Sequence, residues 1–147
     1  MPYIKEITAV ETYIVRHPIL RNGKPIENCH FEGDERETTI HFGLFDNEKL
    51  IGVISVFEHD NTTIDSKKQV QIRGMAVLGA FQKKGYGSTL LQHAEMHLRN
   101  KKIELIWFNA RVSAVSFYKK LGYTTIGTSF IIPDVGAHYL MFKKITN

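Results

Sequence analysis

The chain has 147 residues, a formal net charge of +4, 43% hydrophobic residues and 23% charged residues. This length fits one domain over residues 1–147 with a core of its own, and the ordinary apolar content excludes a disordered chain. A single cysteine, Cys29, excludes an internal disulfide, and the lack of a signal core or a long apolar run predicts a cytoplasmic protein without a membrane span.

The first part of the chain predicts one helix followed by a long loop. Apolar residues at helical spacing predict a helix over residues 7–15, with Thr8 as its N-terminal cap. Pro18 disfavours helix in the residue before it, so we expect the helix to end ahead of it. Residues 19–36 are polar and contain glycine and proline, which indicates a long loop of the kind that is often functional.

Two strands are predicted next, joined by a tight turn. Residues 38–45 alternate, with apolar side chains on one face and His41 and Gly43 on a second, wetter face. Residues 46–48 have the composition of a turn. The nearly continuous apolar stretch 50–57 predicts a central strand buried on both faces.

The centre of the chain predicts an anion site between a strand and a helix. Residues 70–77 indicate a buried strand, residues 88–100 an amphipathic helix, and residues 82–87 the short join between them. The first N–H groups of a helix lack intrahelical partners and lie at the positive end of its dipole. Gly85 and Gly87 carry no Cβ, so a phosphate can approach the main chain there.

Known phosphate-binding loops differ from this join. It lacks the Gly-Lys-Ser/Thr ending of a P-loop, and Leu90 stands where a dinucleotide fold has its third glycine. Lys83 and Lys84 add positive charge, which favours a ligand with several phosphates. A plain strand-to-helix turn remains the alternative at this point.

The last third of the chain predicts three strands and a helix. Residues 103–109 indicate a buried strand, and 112–121 a helix that stops at Gly122. Residues 124–132 and 137–143 indicate two further strands. With an initial strand, the order β-α-loop-ββ-β-α-β-α-ββ predicts an α/β domain built on one mixed sheet.

Two motifs within this predicted order of strands and helices resemble those of a known family. The first is Gln82-x-x-Gly85-x-Gly87, preceded by Met75-x-Val77, and the second is Ala114-x-x-Phe117-Tyr118-x-x-Leu121-Gly122-Tyr123. Together, and in this order, they resemble the GNAT N-acetyltransferases. The resemblance implies the GNAT-type acyl-CoA N-acyltransferase fold, a mixed and mostly antiparallel central sheet flanked by helices. It also implies an enzyme that uses acetyl-CoA and no metal to acetylate a primary amine by direct attack in a ternary complex.

The resemblance implies roles for the main chain around the first motif. The backbone of Met75, Ala76 and Val77 would pair with the pantetheine arm as an added strand does, which requires the sheet to open beside it. The N–H of Val77 would face the thioester oxygen, where a preorganised donor lowers the barrier by about 3 kcal/mol. The implied cofactor-binding residues are Met75, Ala76, Val77, Gln82, Lys83, Lys84, Gly85, Tyr86, Gly87, Ser88, Asn109 and Arg111.

Tyr118 is the implied catalytic residue. In the family, the matching tyrosine stands near the sulfur of coenzyme A and donates a proton to the departing thiolate, and a phenol with an ordinary pKa of about 10 is protonated at neutral pH. The alternative is a core tyrosine with a satisfied hydroxyl. Many members carry an asparagine seven residues earlier, where this chain has Arg111; Asn109 lies two residues before that.

The base that deprotonates the amine is not apparent from the sequence. His41, Glu58, His59, His138 and a water chain are the alternatives. Arg16, Cys29, Asp34, His41 and His138 also resemble residues of the ElaA-like branch of the family, and Arg16, Asp34, His41 and His138 are therefore predicted on the substrate side.

The sequence bears on two other function classes, a non-catalytic binding module and a nucleic-acid-binding protein. The missing asparagine and the absence of a carboxylate in residues 70–77 leave open a non-catalytic acyl-CoA-binding module. Nucleic-acid binding is not predicted, because the basic residues are scattered and form no recognition motif. The sequence leaves the acceptor open between a small-molecule amine and a peptide amine, either an N-terminus or a lysine. Family members often form homodimers, so a homodimer also remains open.

Overall fold

A single mixed sheet organises the protein. The computed structural model describes residues 1–146, and within this range seven strands form one sheet in the order β1-β2-β3-β4-β5-β7-β6. The strands are β1 (Tyr3–Ile7), β2 (Ile40–Asp46), β3 (Lys49–Glu58), β4 (Gln69–Val77), β5 (Leu105–Arg111), β6 (Thr124–Ile132) and β7 (Gly136–Lys144). The helices are α1 (Tyr13–Leu20), α2 (Tyr86–Asn100) and α3 (Val115–Lys120).

The strand directions confirm the predicted fold class. Neighbouring strands run antiparallel except β4 and β5, which are parallel and joined through α2. The predicted element order is also confirmed, including the initial strand β1. No helix within residues 1–146 is both long enough and apolar enough to cross a membrane.

Helices cover both faces of the sheet. On one face α2 buries an apolar stripe, Leu90, Leu91, Ala94 and Leu98. Glu95 belongs to the same buried stripe, and its carboxylate is satisfied by the hydroxyl of Tyr123 at 2.7 Å and by Lys143 at 3.1 Å. On the other face Val15 of α1 packs with Val53 and Ala76. β3 is buried along nearly its whole length, as predicted for a central strand.

The prediction that β2 has a wetter face is wrong. His41 is 5% exposed and Gly43 is also buried. The polar loop between α1 and β2 covers this face, since His41 Nε2 donates to the main-chain oxygen of Asp34 at 3.0 Å. A Cβ on Gly43 would lie 2.7 Å from the Leu50 side chain, so packing there leaves no room for one.

The predicted end of the first helix is also wrong. Its predicted start at residue 7, with Thr8 as the cap, is wrong as well, because Ile7 ends β1 and α1 begins at Tyr13 with Thr12 as its N-cap. Thr8 and Glu11 instead exchange reciprocal hydrogen bonds, at 2.8 and 3.2 Å, ahead of α1. After a short 3₁₀ turn, however, α1 runs through Pro18 to Leu20. Proline fits helical φ and removes one hydrogen bond, and the burial of Val15 and Arg16 against the sheet outweighs that loss.

Candidate active site

A cleft opens where the two parallel strands separate. β4 and β5 pair over only three residues each, Gln69–Gln71 with Leu105–Trp107, and then diverge. The gap between them is a cavity of about 530 Å³, lined among others by Met75, Asn109, Arg111, Tyr118 and His138. The sheet therefore opens beside Met75, as the pairing with a pantetheine arm requires.

A bulge in β4 shapes one wall of this cleft. Ser55 of β3 pairs with Arg73 and Val53 pairs with Ala76, so Gly74 and Met75 together oppose a single residue. Gly74 has φ +68°, and a Cβ there would lie 2.8 Å from the ring of Phe31. Glycine is thus required at this position both by the backbone conformation and by the aromatic ring above it.

The main chain of Val77 faces the cleft. The N–H of Leu78 donates to the carbonyl of Ile51 on β3 at 2.8 Å. Because successive residues of a strand direct their N–H and C=O groups to opposite sides, those of Val77 point away from β3. The side-chain amide of Gln82 accordingly donates to the carbonyl of Val77 at 2.8 Å. The N–H of Val77 is therefore directed into the gap between β4 and β5.

The glycine-rich join ends in a helix N-terminus with free amides. Lys83 and Gly85 adopt positive φ, +62° and +85°, and Gly85 is the N-cap of α2. The helix starts two residues earlier than predicted, so Gly87 and Ser88 belong to its first turn. The first closing bond is Thr89 N–H to the carbonyl of Gly85 at 3.0 Å, which leaves the preceding helical amides for an anion.

The side chains of this join leave the main chain accessible. Nothing lies within 4 Å of a Cβ placed on Gly85. Lys83 and Lys84 are exposed, and within residues 1–146 no carboxylate pairs with either. Tyr86 packs its ring on the core, so its contribution to an anion site is its amide.

Tyr118 presents a protonated phenol to the cleft. Its ring packs against Phe108 at 4.5 Å and Phe117 at 5.1 Å between ring centres. Burial among these rings raises the pKa of Tyr118 to about 12. Tyr118 packs on the core and also lines the cavity, so its ring borders open space as well as the protein interior. With this raised pKa, the phenol is protonated at neutral pH.

Of the four side chains weighed as bases, His138 lines the cavity. His41 has both ring nitrogens engaged, with Ser55 at 2.6 Å and with the Asp34 carbonyl at 3.0 Å. Glu58 and His59 border a different depression of the surface. His138 Nδ1 lies 2.8 Å from the carbonyl of Gly136, which can only accept, so Nδ1 carries the proton and Nε2 keeps a lone pair.

Arg16, Asp34 and His41 form a buried cluster behind the cavity wall. The Arg16 guanidinium, 0% exposed, donates to both carboxylate oxygens of Asp34 at 2.7 and 3.1 Å and to the Cys29 carbonyl at 2.9 Å. Burial acts to raise the pKa of Asp34, but the hydrogen bonds from Arg16 and from the Phe31 amide hold it below its usual value. The cluster fixes the loop to the sheet, and a direct contact with an acceptor stays a prediction.

Arg21, Phe31 and Arg73 are among the cavity residues that the sequence did not single out. Arg73 carried a usable signal, since it is a lone charge inside the otherwise apolar stretch that predicted β4. Arg21 and Phe31 lie in the polar stretch that was assigned to a loop as a whole. Only the fold brings these three residues to the same wall of the cleft.

The splayed mixed sheet with a glycine-rich helix N-terminus beside the opening is the acyl-CoA N-acyltransferase fold. The model of the acetyltransferase (GNAT) family matches residues 6–123. The chain is 34% identical over 142 residues to the uncharacterized N-acetyltransferase YitI of Bacillus subtilis (strain 168), covering 97% of this chain and 95% of that protein. This protein belongs to the GNAT acetyltransferase family, which confirms the resemblance read from the two motifs.

Solved structures share the fold at low sequence identity. An aminoglycoside 6'-N-acetyltransferase complexed with coenzyme A superposes with a TM-score of 0.77 at 14% identity, over 97% of both chains. ElaA of Escherichia coli superposes with a TM-score of 0.76 at 15% identity, over 97% of this chain and 99% of that one. ElaA is thus a structural neighbour, and at this identity the likeness concerns the fold.

Proposed function

We propose that this protein transfers the acetyl group of acetyl-CoA to a primary amine by direct attack in a ternary complex. The observation that carries the proposal is the opening between β4 and β5. Tyr118 and His138 line its cavity, the N–H of Val77 points into the gap, and the N-terminus of α2 follows the end of β4 outside the cavity. Membership of the acetyltransferase family supports the same reaction class.

The residues around the cleft fit acetyl-CoA. The pantetheine arm extends beside the main chain of residues 75–77, where β4 has lost its partner strand. The diphosphate lies against the amides of residues 82–88, with Lys83 and Lys84 as additional cations. Asn109 and Arg111 at the end of β5 border the opposite side.

The chemistry follows from this arrangement. The neutral amine nitrogen bonds to the thioester carbon as His138 Nε2 takes one of the protons on that nitrogen. The N–H of Val77 stabilises the oxyanion, a contribution of about 3 kcal/mol for one such donor. As the carbonyl re-forms, the carbon–sulfur bond breaks and Tyr118 donates its proton to the thiolate. The products are the acetamide and free coenzyme A.

The test is release of free thiol from acetyl-CoA in the presence of a panel of amines. Tyr118→Phe removes the proton donor and keeps the ring, so we expect kcat to fall about 100-fold while the acetyl-CoA dissociation constant measured by calorimetry is unchanged. Equal turnover by the variant would contradict the acid role. Binding of acetyl-CoA with no thiol release for any amine would favour the acyl-CoA-binding module instead.

A further inference from the structure

The wall of the cleft formed by α1, the following loop and β4 is strongly basic. Arg21 and Arg73 line it, and within residues 1–146 neither has a carboxylate within 4.0 Å. The residues that line the cavity in this described range include no Asp or Glu. In a chain with a net charge of only +4, this concentration of unpaired positive charge in one cavity requires an explanation.

Arg73 is the more unusual of the two arginines. It lies on β4 beside the bulge, opposite Ser55 of β3. Its guanidinium carbon is 4.6 Å from the ring centre of Phe31 and 5.7 Å from that of Phe57. Burial, followed by the nearby positive charge of Arg16, lowers its pKa. The protein therefore holds a cation at the cavity surface in an environment that disfavours it.

The guanidinium groups of three arginines lie close to the ring of Phe31. The guanidinium carbons of Arg16, Arg73 and Arg21 lie 3.9, 4.6 and 5.2 Å from its ring centre. Arg16 is neutralised by Asp34. Arg21 is held by the carbonyls of Asn28 at 3.1 Å and Leu20 at 2.9 Å, which fixes its position without cancelling its charge. Arg21 and Arg73, whose positive charges repel each other, thus both lie close to the ring of Phe31.

These arginines lie away from the residues proposed to hold the diphosphate. The cavity reaches Met75 on β4 and does not include residues 82–88. Arg21 lies at the C-terminal end of α1 and Arg73 in the middle of β4, whereas the glycine-rich join follows the C-terminal end of β4. The anion that they attract is therefore separate from the phosphates of coenzyme A. Arg111 lines the same cavity from β5, on the side proposed to border coenzyme A.

We propose that the acceptor is a small primary amine that also carries an anionic group, which Arg73 and Arg21 bind while the amine faces the thioester. The inference rests on the proposed function and adds the class of its substrate. Arginine forms paired, charge-assisted hydrogen bonds with carboxylate and phosphate alike, so either group meets the requirement. A cavity of about 530 Å³ that also admits the acetyl end of the cofactor fits an acceptor of amino-acid size.

The test compares amines that differ only in charge. Amino acids are paired with their carboxamides, and aminoalkyl phosphates with the corresponding amino alcohols, and kcat/KM is measured for each. We expect the anionic member to be preferred by at least about tenfold. The carboxylate and phosphate arms identify which anion the site takes. Preference for the neutral member in both arms would overturn the proposal while leaving acetyl transfer intact.

Variants assign the preference to the two arginines. We expect Arg73→Gln and Arg21→Gln each to lower kcat/KM for the anionic amine about tenfold, mainly through KM, and to leave the neutral amine and the acetyl-CoA dissociation constant unchanged. Arg73→Lys should recover part of the loss. Arg36→Gln is the matched control, since Arg36 lies on the same loop outside the cavity and bonds to the Glu58 carbonyl. Equal losses for anionic and neutral amines would indicate a structural role and contradict the proposal.

A binding measurement separates this inference from the proposed reaction. N-acetylated amino acids and their carboxamides are titrated by calorimetry into protein saturated with coenzyme A, so no turnover is needed. Tighter binding of the carboxylate, lost in Arg73→Gln, supports the anion site even if no amine is acetylated. Equal binding of both members by the unmodified protein would overturn it.

Discussion

At the scale of single residues, the proposed reaction assigns opposite proton transfers to Tyr118 and His138. Aromatic neighbours bury the phenol and raise its pKa to about 12, which keeps the proton available for a leaving thiolate. The main-chain oxygen of Gly136 fixes the tautomer of His138 and leaves Nε2 free to accept. An acid and a base on separate elements thus face one cavity with complementary protonation.

His138→Gln should separate proton removal from binding. Loss of the imidazole removes the acceptor for the amine proton, so we expect kcat/KM for the amine to fall about 100-fold or more. Calorimetry should show unchanged acetyl-CoA affinity. His30→Gln, at an exposed position outside the cavity, is the control. If turnover is retained, a water chain performs the deprotonation.

At the scale of elements, the proposed function depends on one strand, β4, that changes partners along its length. The first three residues of β4 pair with β5, and the rest of the strand has β3 on one side and the cleft on the other. The bulge at Gly74 lies at this transition. Directly downstream, the positive φ of Gly85 turns the chain so that the first amides of α2 face outward.

Gly85→Ala should weaken cofactor binding specifically. A side chain at φ +85° costs about 1–2 kcal/mol, so the loop relaxes and its amides lose their alignment; we expect the acetyl-CoA dissociation constant to rise about tenfold. Gly79→Ala is the matched control, because a Cβ there also meets nothing within 4 Å and its φ is not positive. Similar effects of both substitutions on binding would argue against an anion site at α2.

At the scale of the whole molecule, the buried charges tie the acceptor-side loop to the sheet. Arg16 of α1 bonds to Asp34 of the loop and, at 3.0 Å, to Ser55 of β3, so three segments distant in sequence meet at one ion pair. Such a pair adds little relative to apolar packing, but removal of one partner leaves an uncompensated buried charge. The wall that carries Phe31 therefore depends on this cluster.

Asp34→Asn should destabilise the protein by about 3–5 kcal/mol, measured by urea unfolding at neutral pH. The folded-state pKa of Asp34 is lowered. Its ionised carboxylate therefore stabilises the folded protein above about pH 4, the pKa of an aspartate in the unfolded chain, and this stabilisation is lost as the pH falls through the folded-state pKa. The variant should therefore lose less stability on acidification than the unmodified protein. Asp65→Asn, on an exposed loop, should change neither quantity. A change below about 1 kcal/mol in Asp34→Asn would show that the cluster does not hold the loop.

Local pattern was sufficient for most of the fold. Alternation and apolar runs predicted β2 to β7 within a few residues, and the glycine-rich motif identified the N-terminus of α2. The errors lie where tertiary contacts outweigh local preference. Pro18 stays helical because α1 buries Val15 and Arg16 on the sheet, and His41 is buried because a distant loop covers it.

The sequence by itself determined the family, the order of the elements and the two motifs, because these depend on spacing along the chain. The tertiary structure decided which side chains share the cleft. Only the divergence of β4 from β5 places His138, the proposed base, at the cavity, and only the folding of the loop over Phe31 brings Arg21 near Arg73. The charge and the solvent access of a side chain depend on the residues packed around it. Residues 21, 73 and 138 are far apart in sequence and line one cavity only in the folded chain.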